Sequence, residues 1–242
     1  MSIFAKTNPL CQMKRFCIIL ILSVLSFSAV GQSLPIKFLG LSVDGPKSSM
    51  IQELRKKGFN YNSDYDRLEG TFNGRESYVY IHDNREKVDR IMVVDAILLS
   101  RGEVKKRFNL LLSQFLANGK YCPSPSNSEI PDDEDISYEM TVNDKEYTAS
   151  FYPKVTAEGV DESFKQRVIS EIVDEVKQSV ESGEFQNPTE ERMQTMIGLR
   201  VLRKSIELAE GVVWFSIERL DGEYYIALFY DNFHNQANGE DL

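Results

Sequence analysis

The residues from Ser100 to Gly119 constrain this chain more than any other stretch. Val104, Phe108, Leu111, Leu112, Phe115 and Leu116 recur at intervals of three and four, the spacing of one face of an α-helix. Ser100 and Glu103 stand in capping-box positions, where each side chain satisfies a backbone N–H that the first helical turn leaves free. Gly119 is placed to stop the helix in a left-handed conformation. Burying six such side chains contributes at most roughly 9–18 kcal/mol, at about 1.5–3 each. That is comparable to the whole stability of an ordinary domain. The stripe therefore needs an apolar surface of matching size, and the spacing predicts a helix laid on a sheet.

The sequence on either side supplies the strands. Pro35 to Val43 reads as a first strand, turned by Asp44-Gly45. Pro46 to Lys57 reads as a short helix that Ser49 and Gln52 can cap, with Ile51 and Leu54 inward and Gly58 at its end. From Phe59 to Ile97 the pattern changes to period two, with strands at 68–72, 78–81 and 91–94. Asn73-Gly74 is a strong hairpin signal, because a type I′ turn needs positive φ at both central residues. Asp83-Asn84 marks the next turn. The stretch 122–135 holds Pro123, Pro125, Pro131 and the run Asp132-Asp133-Glu134-Asp135, and reads as an acidic, proline-rich loop. Ile136 to Val142 and Glu146 to Tyr152 read as a second hairpin about Asn143-Asp144. Asp161 to Ser182 reads as a helix with Phe164, Val168, Ile172, Val173, Val176 and Val180 on one face. Asn187-Pro188-Thr189-Glu190 starts another, running to about Ala209. Val212 to Leu220 and Glu223 to Tyr230 form a last hairpin about Asp221-Gly222.

The fold class expected is α+β: an antiparallel sheet packed by amphipathic helices, drawn from two halves at 32–121 and 136–236 that each offer strands and amphipathic helix, with a tail at 237–242. Strands and helices do not alternate regularly, which disfavours a doubly wound parallel sheet.

Phe38-Leu39-Gly40-Leu41-Ser42-Val43-Asp44-Gly45, followed by a helix ending Leu54-Arg55-Lys56-Lys57-Gly58-Phe59, resembles the opening of a group of uncharacterised exported proteins of Bacteroidota. That opening has the form F-x-G-[IL]-x-[IV]-D-G and then L-x-x-K-G-F. The C-terminal run Tyr224-Tyr225-Ile226-Ala227-Leu228-Phe229-Tyr230-Asp231-Asn232 is similar as well. The likeness covers 36–120 and 211–242. It implies export and an α+β architecture, and it brings no catalytic residue.

Export is also read from the N-terminus itself. Lys6, Lys14 and Arg15 precede the apolar run Phe16 to Phe27, and Ala29-Val30-Gly31 puts small residues at −3 and −1 of a cleavage point before Gln32. Residues 1–31 thus read as a signal peptide that is removed, leaving a periplasmic or extracellular chain. The apolar run is too short to span a bilayer, and no transmembrane helix is expected in the mature chain. Losing Lys6, Lys14 and Arg15 from 28 basic residues leaves 25 against 37 acids, a net charge of −12. Such a chain repels phosphate backbones and anionic lipid, which excludes nucleic acid as a main partner. Only Cys122 of the three cysteines would remain, so no internal disulfide can form.

No residue stands out as catalytic. Cys122 precedes a proline in a loop, and the two histidines, His82 and His234, lie far apart. No ligand-spaced motif holds a metal. Asn60, Asn62, Asp64 and Asp66 alternate like a calcium loop but lack the glycine and the terminal glutamate at the required places, and read as a polar turn. Serine-elbow and phosphate-loop motifs are missing. No cofactor is implied. The 37 acids allow many glycosidase pairs, and nothing singles out two.

Aromatic residues carry the remaining signal. Tyr78 and Tyr80 share one strand face, Trp214 opposes Phe215, and Tyr224 opposes Tyr225. Either helices cover both sheet faces, or one face presents Trp214, Tyr224, Tyr78 and Tyr80 to a protein or glycan. The function expected is an exported, non-enzymatic binding module of the cell envelope. A carboxylate-based hydrolase of envelope polymers is the alternative, and a structural protein of a secreted assembly is a third. Intact-mass measurement of exported protein is expected to place its N-terminus near Gln32; exported material retaining Met1 would contradict the signal-peptide reading.

Overall fold

The computed structural model describes residues 36–153, 209–237 and, between them, 170–172, 174–175, 178–179, 182 and 190–207. The chain divides into two units. The larger comprises Leu34–Lys154 and Ala209–Leu242, the smaller Met1–Ser33 and Val155–Leu208.

In the larger unit the elements run β1 (Lys37–Phe38), β2 (Leu41–Ser42), α1 (Lys47–Lys56), β3 (Asn60–Asn62), β4 (Arg67–Phe72), β5 (Arg75–Asn84) and β6 (Lys87–Asp95). There follow α2 (Arg101–Ala117), β7 (Tyr121–Pro123), α3 (Ile136–Val142), β8 (Thr148–Pro153), β9 (Gly211–Leu220) and β10 (Glu223–Asn232). The fold is α+β. Eight strands make one antiparallel sheet in the order β3-β4-β5-β6-β10-β9-β8-β7, and β1 and β2 pair separately. The pairing of β6 with β10, Arg90–Val94 against Ala227–Asp231, joins the two chain segments that make up this unit.

Turn chemistry explains most of the hairpins. Asn73-Gly74 and Asp221-Gly222 both take positive φ, as a type I′ turn demands. Two turns fall elsewhere than the sequence suggests. Leu39 and Gly40 have φ of 48° and 83°, so the expected first strand is folded back on itself as β1 and β2. The turn expected at Asp83-Asn84 lies at Arg85-Glu86, because a register shift after His82 lets β5 run on through Asn84.

Helix α2 keeps both halves of its capping box: the Ser100 hydroxyl accepts from the Glu103 N–H, and the Glu103 carboxylate accepts from the Ser100 N–H. Val104, Phe108, Leu111 and Leu112 are buried, and Phe115 is half-buried. Leu116 is 52% exposed. Twelve residues after Val104, it lies about 120° round the helix, off the buried stripe. The helix ends at an extended Asn118 instead of a left-handed Gly119. Helix α1 starts behind an extended Pro46 with no side-chain cap, so Ser49 and Gln52 do not cap it. It buries Met50 and Leu54 in the same cluster as Val79 and Ile81 of β5.

The proline-rich stretch is an ordered strap. Asn109 exchanges two hydrogen bonds with the Ile130 backbone, and Asn127 two with Ser150. The buried Lys105 ammonium donates to the carbonyls of Pro131, Asp132 and Glu134 at 3.2, 2.5 and 3.0 Å. Tyr121–Pro123, read from sequence as the start of the break, pairs with β8 as an edge strand.

Ile136–Val142 is a helix and not the strand its alternation suggests. The Asp135 carboxylate accepts from the N–H groups of Ser137 and Tyr138 and nucleates the turn. Ile136 and Met140, four apart, then face the core together. With that partner gone, β8 pairs with β9.

In the smaller unit, α4 (Glu190–Glu207) carries a buried Met196. It is tied to residues 171–179 by Lys204–Glu171 at 2.9 Å, Arg203–Glu175 at 2.6 Å and a bond from Arg200 to the Ser179 hydroxyl. Ile172 of the expected helix at 161–182 is buried; most of that helix, the start at Asn187-Pro188 and the signal segment lie outside the described residues.

Lys105→Met is expected to cost about 2–3 kcal/mol in urea unfolding, because three carbonyls lose a charged donor. The exposed neighbour substitution Lys106→Met should stay within about 0.5 kcal/mol. Equal effects would show that Lys105 does not hold the strap.

Candidate binding surface

Alternation along the strands sorts the side chains onto two sheet faces. Val79, Ile81, Ile91, Val93, Val213, Phe215, Ile226 and Leu228 face the helices and are buried. Their neighbours of opposite parity form the second face. On it one register row crosses four adjacent strands: Tyr80 of β5, Met92 of β6, Phe229 of β10 and Trp214 of β9. Ser150 of β8 continues the row. The next row runs Glu69, Tyr78, Val94, Ala227, Ser216 and Thr148.

Two of these aromatics are held in fixed poses. The Trp214 and Phe229 rings stack at 4.0 Å with 12° between their planes. The Trp214 indole N–H donates to Asp231 Oδ2 at 2.8 Å. Asp231 also receives two bonds from Arg90, at 2.5 and 2.9 Å, and the Arg90 guanidinium sits 5.3 Å from the Phe229 ring centre. That bidentate carboxylate raises the Arg90 pKa and keeps the guanidinium charged. Further along the face, the Arg67 guanidinium lies 3.6 Å above the Tyr78 ring and reaches Glu69 at 2.9 Å. Arg67 holds the Glu69 carboxyl below its ordinary pKa, with Asn62 adding to the effect.

Trp214, Tyr78 and Tyr80 thus share the second face and are half-buried. Tyr224 does not belong with them. It is 4% exposed, on the helix-covered face, and its backbone bridges Leu99 at 2.7 and 3.0 Å. Tyr225, opposite Glu218, takes the place on the second face that the sequence reading assigned to Tyr224. Phe229 and Met92 were not read from sequence as part of this surface. Phe229 has the parity of Tyr225, which was the signal available; Met92 becomes visible only through strand register.

Beside Trp214, on the β8 side and away from Phe229, opens a cleft of about 440 Å³. Trp214, Thr148, Ser216 and the acids Asp144, Glu146 and Glu218 line it. The Ser216 hydroxyl donates to Glu218 at 2.6 Å. The cleft thus joins an aromatic ring to several hydrogen-bond acceptors.

The other sequence candidates are engaged elsewhere. Asp66 of the calcium-like run is bonded by Lys47 at 2.7 Å and by the Tyr61 hydroxyl at 2.8 Å, which holds its carboxyl below the ordinary range. His82 pairs with Asp89 at 2.6 Å, and His234 lies 3.6 Å from Glu210. Among the described residues no group of three or more His, Cys, Asp and Glu is placed to hold a metal ion. Burial raises the pKa of Asp95, but Asp95 sits under α2 with Arg107 at 3.4 Å and Arg75 at 3.8 Å, away from the Trp214 cleft.

Comparison with family models, with curated proteins and with solved structures finds no match.

Proposed function

We propose that the chain is an exported binding module of the cell envelope, and that it binds a glycan at the Trp214 cleft and along the aromatic row beside it. The observation that carries this reading is the fixed indole: Phe229 stacks on the ring, Asp231 anchors its N–H, and Trp214 lines the cleft. A sugar ring offers an apolar face to an aromatic ring and hydroxyl donors to carboxylates. Glu218, Asp144 and Glu146 supply such acceptors, and Ser216 and Thr148 can both donate and accept. A ring held in place before binding loses little entropy when the ligand arrives. Export is supported by the signal-like N-terminus and by the resemblance of the two terminal regions to exported proteins.

The acids around the same cleft favour one second reading, hydrolysis of an envelope polymer by paired carboxylates.

Trp214 is the only tryptophan of the chain, so its emission reports on the site directly. Titration of the purified protein with soluble envelope glycans and glycan fragments is expected to change that emission saturably with at least one of them. Calorimetry should show Phe229→Ala lowering that affinity about tenfold, or ~1.4 kcal/mol. No reducing ends should appear on prolonged incubation. A binding defect equally large in Leu116→Ala, on the helix, would contradict the site; glycan cleavage lost in Glu218→Gln would replace binding by hydrolysis.

A further inference from the structure

A second cleft lies on the helix-covered side of the sheet, between the C-terminal half of α2, the β1–β2 hairpin, the β4–β5 turn and the start of β7. Its volume is about 420 Å³, within the range of small-molecule sites. Phe72, Phe115, Tyr121 and Tyr230 provide its aromatic lining. Neighbours brace those rings: Phe38 packs on Phe72 at 5.5 Å and on Tyr230 at 5.1 Å, and Phe115 meets Tyr121 edge-on at 5.6 Å. The aromatic lining is therefore braced by the core.

The charge of this cleft runs against that of the chain. The sequence has 37 acids against 28 bases, yet the charged residues lining the cleft are Lys37 and Lys120, with no carboxylate among its lining side chains. Neither lysine forms an ion pair with a described residue, whereas Lys47, Lys56, Lys145 and Lys204 all do. The remaining polar groups of the lining, the amides of Asn73, Gln114 and Asn118, are neutral and can donate. Burial pushes the phenols of Tyr121 and Tyr230 above their ordinary range, and Tyr121 adds to the shift at Tyr230. Both are thus neutral at physiological pH and set no negative charge against an anion.

We propose that this cleft binds a small organic carboxylate with an aromatic or short acyl body, the body resting on Phe72, Phe115 and Tyr121 and the carboxylate lying between Lys37 and Lys120. The aromatic lining selects for an apolar body. The two ammonium groups, neither ion-paired with a described residue, and the lack of acids in the lining select for negative charge. The volume admits a body of about one or two rings. The proposal does not rest on the glycan reading, since the two clefts share no lining residue.

The test uses three probes of one shape on the purified protein at low salt: 1-naphthoate, neutral 1-naphthalenemethanol and cationic 1-naphthalenemethylamine. Calorimetry is expected to show saturable binding of 1-naphthoate, at least tenfold weaker binding of the alcohol and none of the amine. Lys37→Glu/Lys120→Glu should weaken 1-naphthoate at least tenfold with an unchanged melting temperature, because both lysines are exposed. Gln114→Trp, which places bulk at the mouth, should abolish binding of 1-naphthoate. Lack of saturable 1-naphthoate binding, equal binding of all three probes, or unchanged affinity in the double-lysine variant would each overturn the proposal. If the double variant melts lower, Lys37→Gln/Lys120→Gln takes its place under the same criteria.

Discussion

Four phenylalanines join the helix to the sheet, and the rest of the structure depends on that contact. Phe108 of α2 meets Phe215 of β9 edge-on at 5.0 Å, and Phe115 stacks on Phe151 of β8 at 4.8 Å. Phe151 and Phe215 lie parallel at 6.1 Å, one strand apart. This cluster decides which face of β8 and β9 is buried. Because strand side chains alternate, it also decides which residues of those strands are left for the other face. A slip of one residue in β9 would bury Trp214 and expose Phe215. The candidate binding surface is therefore a consequence of core packing: the same parity that hides Phe215 and Leu228 presents Trp214 and Phe229.

Around that contact the larger unit uses buried charge sparingly and for position. Lys105 and Arg107 flank the apolar stripe of α2, one on each side. Lys105 binds three carbonyls and holds the strap at 130–134 against the helix. Arg107 reaches Asp95 at the end of β6, with both side chains about 5% exposed or less. Asp95 Oδ2 and Arg107 Nε have no hydrogen-bond partner among the described residues, so this pair offsets its desolvation poorly. Its effect is to fix where α2 lies along β6. On the second face, Asp231 plays the corresponding part, since one carboxylate orients both Arg90 and Trp214.

Features set by local chemistry were legible in the sequence. The capping box of α2, its stripe from Val104 to Leu112 and the turns at Asn73-Gly74 and Asp221-Gly222 each depend on residues close in the chain. Features set by pairing were not. Seven residues from Ile136 to Val142 fit both period two and an i, i+4 helix, and the Asp135 cap decided between them. Lys105 reads as a solvent-facing charge until the strap folds over it. In the candidate site, Tyr78 and Tyr80 were visible as a same-face pair, and Trp214 as the partner of neither. Tyr224 and Tyr225 differ only in parity, which strand pairing assigns. The cleft acids Asp144, Glu146 and Glu218 come from separate segments that only the β8–β9 pairing brings together.

The central claim is that the stripe of α2 on the sheet sets both the core and the face that carries Trp214. Leu112→Asp tests it most directly, because Leu112 is 1% exposed at the middle of that stripe. The account predicts no cooperative urea transition, loss of near-ultraviolet circular dichroism and tryptophan emission shifted to that of the unfolded chain. A soluble Leu112→Asp protein with a cooperative transition and native Trp214 emission would contradict it.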